Sequence, residues 1–91
     1  MILSDFNLST SSLNGELVIW ATDQTAPRPI NELLYHHTQL ILTNTKSAPV
    51  LTLDQFRTRV QTLPPQTQFF LVSVDYPLFG YRLDGGRLIF G

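Results

Sequence analysis

Two residue pairs, Asn14-Gly15 and Gly85-Gly86, restrict the possible folds of this chain more than any other feature. Asn and Gly tolerate the positive φ that both central residues of a type I′ turn require, so each pair predicts a β-hairpin. Around Asn14-Gly15, Leu13 would face Glu16, Ser12 would face Leu17 and Thr10 would face Ile19. Alternation then gathers Phe6, Leu8, Leu17, Ile19 and Ala21 on one face, which reads as core. Leu13, Val18 and Trp20 share the other face. Trp20 is too large to leave in water, so a helix or another chain is expected to cover it. Around Gly85-Gly86, Asp84 faces Arg87, Leu83 faces Leu88 and Tyr81 faces Phe90. This register sorts Tyr81, Leu83, Leu88 and Phe90 from Arg82, Asp84, Arg87 and Ile89, which supports the pairing independently. The last strand is expected at or near a sheet edge.

Between the hairpins, Thr52 and Gln55 have capping-box spacing, and Leu53, Phe56, Val60 and Leu63 follow at helical intervals. Pro64-Pro65 ends this helix. An earlier segment after Pro27-Arg28-Pro29 places Ile30, Leu33, Leu34, His37, Leu40 and Ile41 on one helical stripe. It reads as a helix to about Leu42, with a strand over Gln39 to Asn44 as the alternative. Thr67 to Val74 is rich in aromatic and β-branched residues and contains consecutive apolar positions, so it reads as a central strand covered on both faces. The Tyr76-Pro77 bond is a candidate for the cis form. No internal repeat stands out. The expected fold is one α+β domain over 1–91. It has two layers: a mainly antiparallel sheet of about five strands, made of the two hairpins and the central strand, with two helices on one face.

Ninety-one residues without Cys exclude a disulfide framework and a thiolate metal site, so apolar burial must stabilise the fold. Charged residues are 14% of the chain, against about 25% in a typical soluble protein. Thr, Ser, Asn and Gln supply the polar surface instead, and weak mutual repulsion favours self-association or a fixed partner. A net charge of −1 with scattered cations offers no phosphate track, so no nucleic-acid partner is expected. Met1 to Asp5 lack the features of a signal peptide, and the longest apolar run, Phe69 to Val72, is far too short to span a bilayer. The expectation is a cytoplasmic protein with no membrane partner.

Three constellations are candidates for chemistry. His36-His37 are adjacent and would point about 100° apart on a helix, which suits a half-buried and a solvated imidazole better than two ligands of one metal. Asp23 and Asp75 each follow an apolar strand, and if those strands lay side by side the two carboxylates, with His36, would form a weak metal site for phosphoryl chemistry. Asp is also an ordinary turn residue. The third is the aromatic loop Tyr76-Pro77-Leu78-Phe79-Gly80-Tyr81, which with Trp20, Val18 and Leu13 would form an apolar interaction surface. Its alternative role is that Leu78 and Phe79 close one end of the core. Nucleophile elbow, Walker loop and dinucleotide fingerprint are all missing. No catalytic residue and no cofactor are expected, and the reading is a non-catalytic protein-interaction or assembly module, with the metal-dependent enzyme as its alternative.

Overall fold

Leu3, Phe6 and Thr10 recur at the spacing of one helical face, and all three are buried. In the computed structural model, which describes residues 1–23, 26–45, 47–72 and 76–91, they lie on a helix, α1 (Leu3–Thr10). There follow β1 (Val18–Thr22), β2 (Pro27–Pro29), β3 (Glu32–His36), β4 (Gln39–Thr43), α2 (Leu53–Val60), β5 (Gln68–Leu71), β6 (Tyr81–Asp84) and β7 (Arg87–Phe90). The α+β class and the count of two helices are as expected, although only α2 lies where a helix was expected. The strands number seven among the described residues and divide into two mixed sheets, ordered β2-β1-β7-β6 and β3-β4-β5, where about five strands in a single sheet were expected.

Several expectations are corrected. β5, expected as the central strand covered on both faces, ends the order β3-β4-β5 with the Phe70–Pro77 bridge beyond it, and Val72 after it is exposed. The N-terminal hairpin does not exist, because the residues that would form its first strand are α1. Asn14 Oδ1 accepts from the Glu16 N–H at 2.9 Å, and Gly15 does not have a positive φ. Gly15 instead permits a close approach: its carbonyl accepts from Asp54 N–H at 3.0 Å, and the Asp54 side chain occupies the space a Cβ would take. The helix expected over Ile30 to Leu42 is also absent. That segment is the hairpin β3–β4, turning at His37 (φ 48°) and Thr38 (φ 60°). A stripe of apolar residues at helical spacing also supplies alternate residues for two short strands, and here the sheet partner β5 decides.

The Gly85-Gly86 hairpin has the expected register, with φ of 56° and 81° at the two glycines. Its last strand, β7, is not an edge strand: it lies between β6 and the parallel strand β1. The helix at Leu53 carries the full capping box and ends at Val60. Among the described residues every peptide bond is trans, Tyr76-Pro77 included.

The chain is an interlocked repeat, which the sequence reading did not anticipate. Residues 2–21 and 52–71 run through the same succession of isolated bridge, eight-residue helix, turn and strand. Equivalent atoms make equivalent bonds. Leu3 N–H donates to Thr67 O and Leu53 N–H to Leu17 O; Ser4 N–H donates to Pro65 O and Asp54 N–H to Gly15 O. Ile2 bridges to Gln68 and Thr52 to Val18. Each half completes the other, since β1 pairs with β7 and β5 pairs with β4, both in parallel. A fourth position beside β5 is supplied by the Phe70–Pro77 bridge, the equivalent of β2 beside β1.

Both halves feed one core. The rings of Phe6, Phe56, Phe69 and Phe90 lie 5.1–6.2 Å apart by centroid, and each is almost wholly buried. Tilted and edge-on pairs of this kind add about 0.5–1.5 kcal/mol each to the burial of the rings. Ile19, Leu40, Leu42, Leu53 and Leu88 fill the space around them.

Candidate functional site

The residues expected to form an interaction surface divide into three groups. Leu13 and Tyr81 are half-buried against the core, and Leu78 is part of it. Tyr81 also donates its hydroxyl to Ser9 Oγ at 3.1 Å. Leu78 therefore has the core-closing role that was the alternative for the aromatic loop. Its N–H donates to Phe69 O at 2.9 Å, which fastens the loop beside β5.

Val18 and Trp20 form the second group. Ile19 and Ala21 point inward from β1, so Val18 and Trp20 lie on the outer face of its sheet. Trp20 is flanked by Pro29 on β2 and Ile89 on β7. The Arg87 guanidinium carbon lies 4.9 Å from its ring centroid, and the same guanidinium reaches Asp84 at 3.1 Å. This side chain covers part of the indole where a helix or another chain was expected, in the geometry of a cation–π contact. Trp20 stays partly accessible.

Tyr76 and Phe79 form the third group, with exposures of 50% and 83%. A comparable pair that the sequence does not announce stands on β3, Leu34 at 49% and Tyr35 at 42% exposure. On a helix Leu34 would belong to the apolar stripe; the hairpin turning at His37-Thr38 leaves both side chains exposed. Leu8, Val72 and Leu83 are also exposed apolar side chains.

The carboxylates do not assemble into a metal centre among the described residues, where no group of three or more His, Cys, Asp or Glu side chains is placed to hold an ion. Asp23 directly follows β1. One of its oxygens accepts from Ala26 N–H at 3.1 Å and the other pairs with Arg28 Nε at 2.9 Å. Accepting a nearby backbone N–H is an ordinary local role for Asp. His36 ends β3 with its ring 3.9 Å from that of His37. Asp75 lies outside the described residues. A depression at the C-terminal ends of β1, β4 and β5, lined by Asp23, Arg28, Thr43, Asn44 and Val72 among others, holds about 20 Å³. That is room for one water, not for a substrate.

Among the described residues, no helix is long and apolar enough to cross a membrane. No protein family, no curated protein and no solved structure matches the chain.

Proposed function

We propose that this chain is a non-catalytic protein-interaction or assembly module. One observation supports the reading above others: aromatic and aliphatic side chains that a small domain would normally bury stand in solvent at Phe79, Tyr76, Leu34 and Tyr35. Single exposed apolar residues are common, but large aromatic ones in turns and on edge strands are the usual anchors of protein contacts. The low charge content acts in the same direction, since few like charges oppose approach.

The test is the loss of association without loss of fold. The double variant F79S/Y76S removes two exposed rings that contribute little to the core. It is expected to keep the thermal midpoint of the parent within a few degrees while losing most association with other proteins, measured by affinity capture from native extract; light scattering follows self-association separately. Equal association of parent and variant would overturn this use of the loop. A parent that stays monomeric and alone in both assays would overturn the module itself.

A further inference from the structure

We infer that β3 is a self-pairing edge: two copies of the chain join by antiparallel addition of β3 to β3, making one continuous sheet from their two three-stranded sheets. This rests on the interaction-module reading and names its partner as a second copy.

The first support is the way the other sheet edges are guarded. An edge strand presents unpaired N–H and C=O groups, and proline or charge usually blocks them. β2 carries Pro27 and Pro29, the position beside β5 is Pro77, and β6 carries Arg82 and Asp84. β3 reads Glu32-Leu33-Leu34-Tyr35-His36, with no proline and a single carboxylate at its start.

The second support is register. The two-residue turn makes His36 and Gln39 a hydrogen-bonded pair, so residues 32, 34 and 36 bond to β4. The backbone groups of Leu33 and Tyr35 then point away from the sheet. An antiparallel copy centred on Leu34 places Leu33 opposite Tyr35 of the second copy, where these free groups satisfy each other. In that register Leu34 meets Leu34, and Glu32 meets His36 of the second copy twice, a carboxylate facing an imidazole that can donate to it. All five residues of the strand are paired, and both exposed apolar side chains are covered.

The third support is the internal repeat. β6 is the equivalent of β3 and has the same turn geometry, with Arg82 in the place of Leu34. Self-pairing of β6 in the equivalent register would press Arg82 against Arg82. The fold therefore contains the same edge twice, once closed by a central cation and once open.

Sedimentation velocity and light scattering from micromolar to millimolar concentration test this directly, with amide exchange at Leu33 and Tyr35 as a readout that needs no substitution. The parent is expected to form a dimer, and these two amides to become protected as concentration rises. L34R copies the residue that the equivalent strand already tolerates and is expected to remain monomeric throughout. E32H and H36E are each expected to weaken the dimer about 2- to 30-fold, from two cross-strand pairs at roughly 0.2–1 kcal/mol each. The swap E32H/H36E restores it. A parent that is monomeric at every concentration, L34R that dimerises like the parent, or a swap that rescues nothing would each overturn self-pairing. The module reading would then still be decided by the loop variant F79S/Y76S, whose association does not depend on β3.

Discussion

Replacing His37-Thr38 by Asn-Gly changes stability in opposite directions for the two backbones this segment could adopt. In the hairpin both residues have positive φ, 48° and 60°. The left-handed region costs an L-residue roughly 1–2 kcal/mol, most for a β-branched one such as Thr, and little or nothing for Asn or Gly. Glycine returns about 0.5–1 kcal/mol of that through the entropy of the unfolded chain. The Thr38 hydroxyl bonds only to the neighbouring His37 carbonyl at the surface, so its loss is minor. The bond from Gln68 N–H to Thr38 O uses backbone and survives. H37N/T38G should therefore stabilise the protein by about 1 kcal/mol, a rise in Tm of roughly 4–8 °C for a domain of this size.

In a continuous helix the same glycine would destabilise by about 1 kcal/mol. The assay is urea denaturation followed by tryptophan fluorescence and far-UV circular dichroism, with an unchanged m-value as the condition for comparing midpoints. The repeat supplies a reciprocal control, because Gly86 (φ 81°) occupies the position of Thr38. G86T should lose about 1–2 kcal/mol. A destabilised H37N/T38G variant would refute the turn and, with it, the register on which self-pairing rests.

Asn31 is buried and clasps the connection between the repeats: its Nδ2 donates to Thr45 O at 2.6 Å and to Ala48 O at 2.8 Å, and its Oδ1 accepts from Thr45 N–H at 2.7 Å. N31A should cost about 2–3 kcal/mol by urea denaturation and speed amide exchange at Thr45. Thr22 Oγ1 is buried without a hydrogen-bond partner among the described residues, so T22V should gain about 1 kcal/mol in the same assay. T52A removes the side-chain acceptor for Gln55 N–H and half of the capping box, and should lose about 1 kcal/mol. Fragments 1–47 and 48–91 should each lack cooperative unfolding alone and regain it when mixed, because both parallel pairings join one half to the other.

What could be read from the residues was local chemistry. The capping box at Thr52 and the Gly85-Gly86 turn stabilise their elements through neighbours in sequence, and both were legible in position and geometry. α1 was not, for a physical reason. Its N-cap position, Ile2, makes no side-chain cap bond, and its first donors are satisfied by Thr67 and Pro65 in the other half of the molecule. Ser4, Asp5, Asn7, Ser9 and Thr10 are weak helix formers, so tertiary packing of Leu3 and Phe6 carries the helix. The β3–β4 turn was hidden because His and Thr occupy positions where Asn or Gly would have announced it. The repeat left a faint trace in Leu3-x-x-Phe6 with Leu13, echoed by Leu53-x-x-Phe56 with Leu63, and in Leu40-Ile41 echoed by Leu88-Ile89. Of the candidate site, the exposure of Tyr76 and Phe79 followed from their loop. That of Leu34 and Tyr35 could not be seen while the segment read as a helix.

The repeat also separates what the fold requires from what it merely permits. Positions that pack the core keep their character in both halves: Leu3 with Leu53, Phe6 with Phe56, Leu40 with Leu88. Positions on the outer sheet surfaces do so only in part. Ile41 repeats Ile89 and Phe70 matches Trp20 in being aromatic, but Leu34 stands where Arg82 does, and Gln39 where Arg87 covers the indole. One outer face therefore carries two arginines, the first at the strand edge and the second over Trp20. The equivalent face carries Leu34, Ile41 and Phe70 with no cation among them. The hairpin backbone does not explain this difference, since β3–β4 and β6–β7 share their pairing and turn. Nor does the core demand it, since these side chains point away from it. The departure from symmetry is a difference of side-chain chemistry, and among the described residues it falls beside β3, whose edge carries no proline and no central charge.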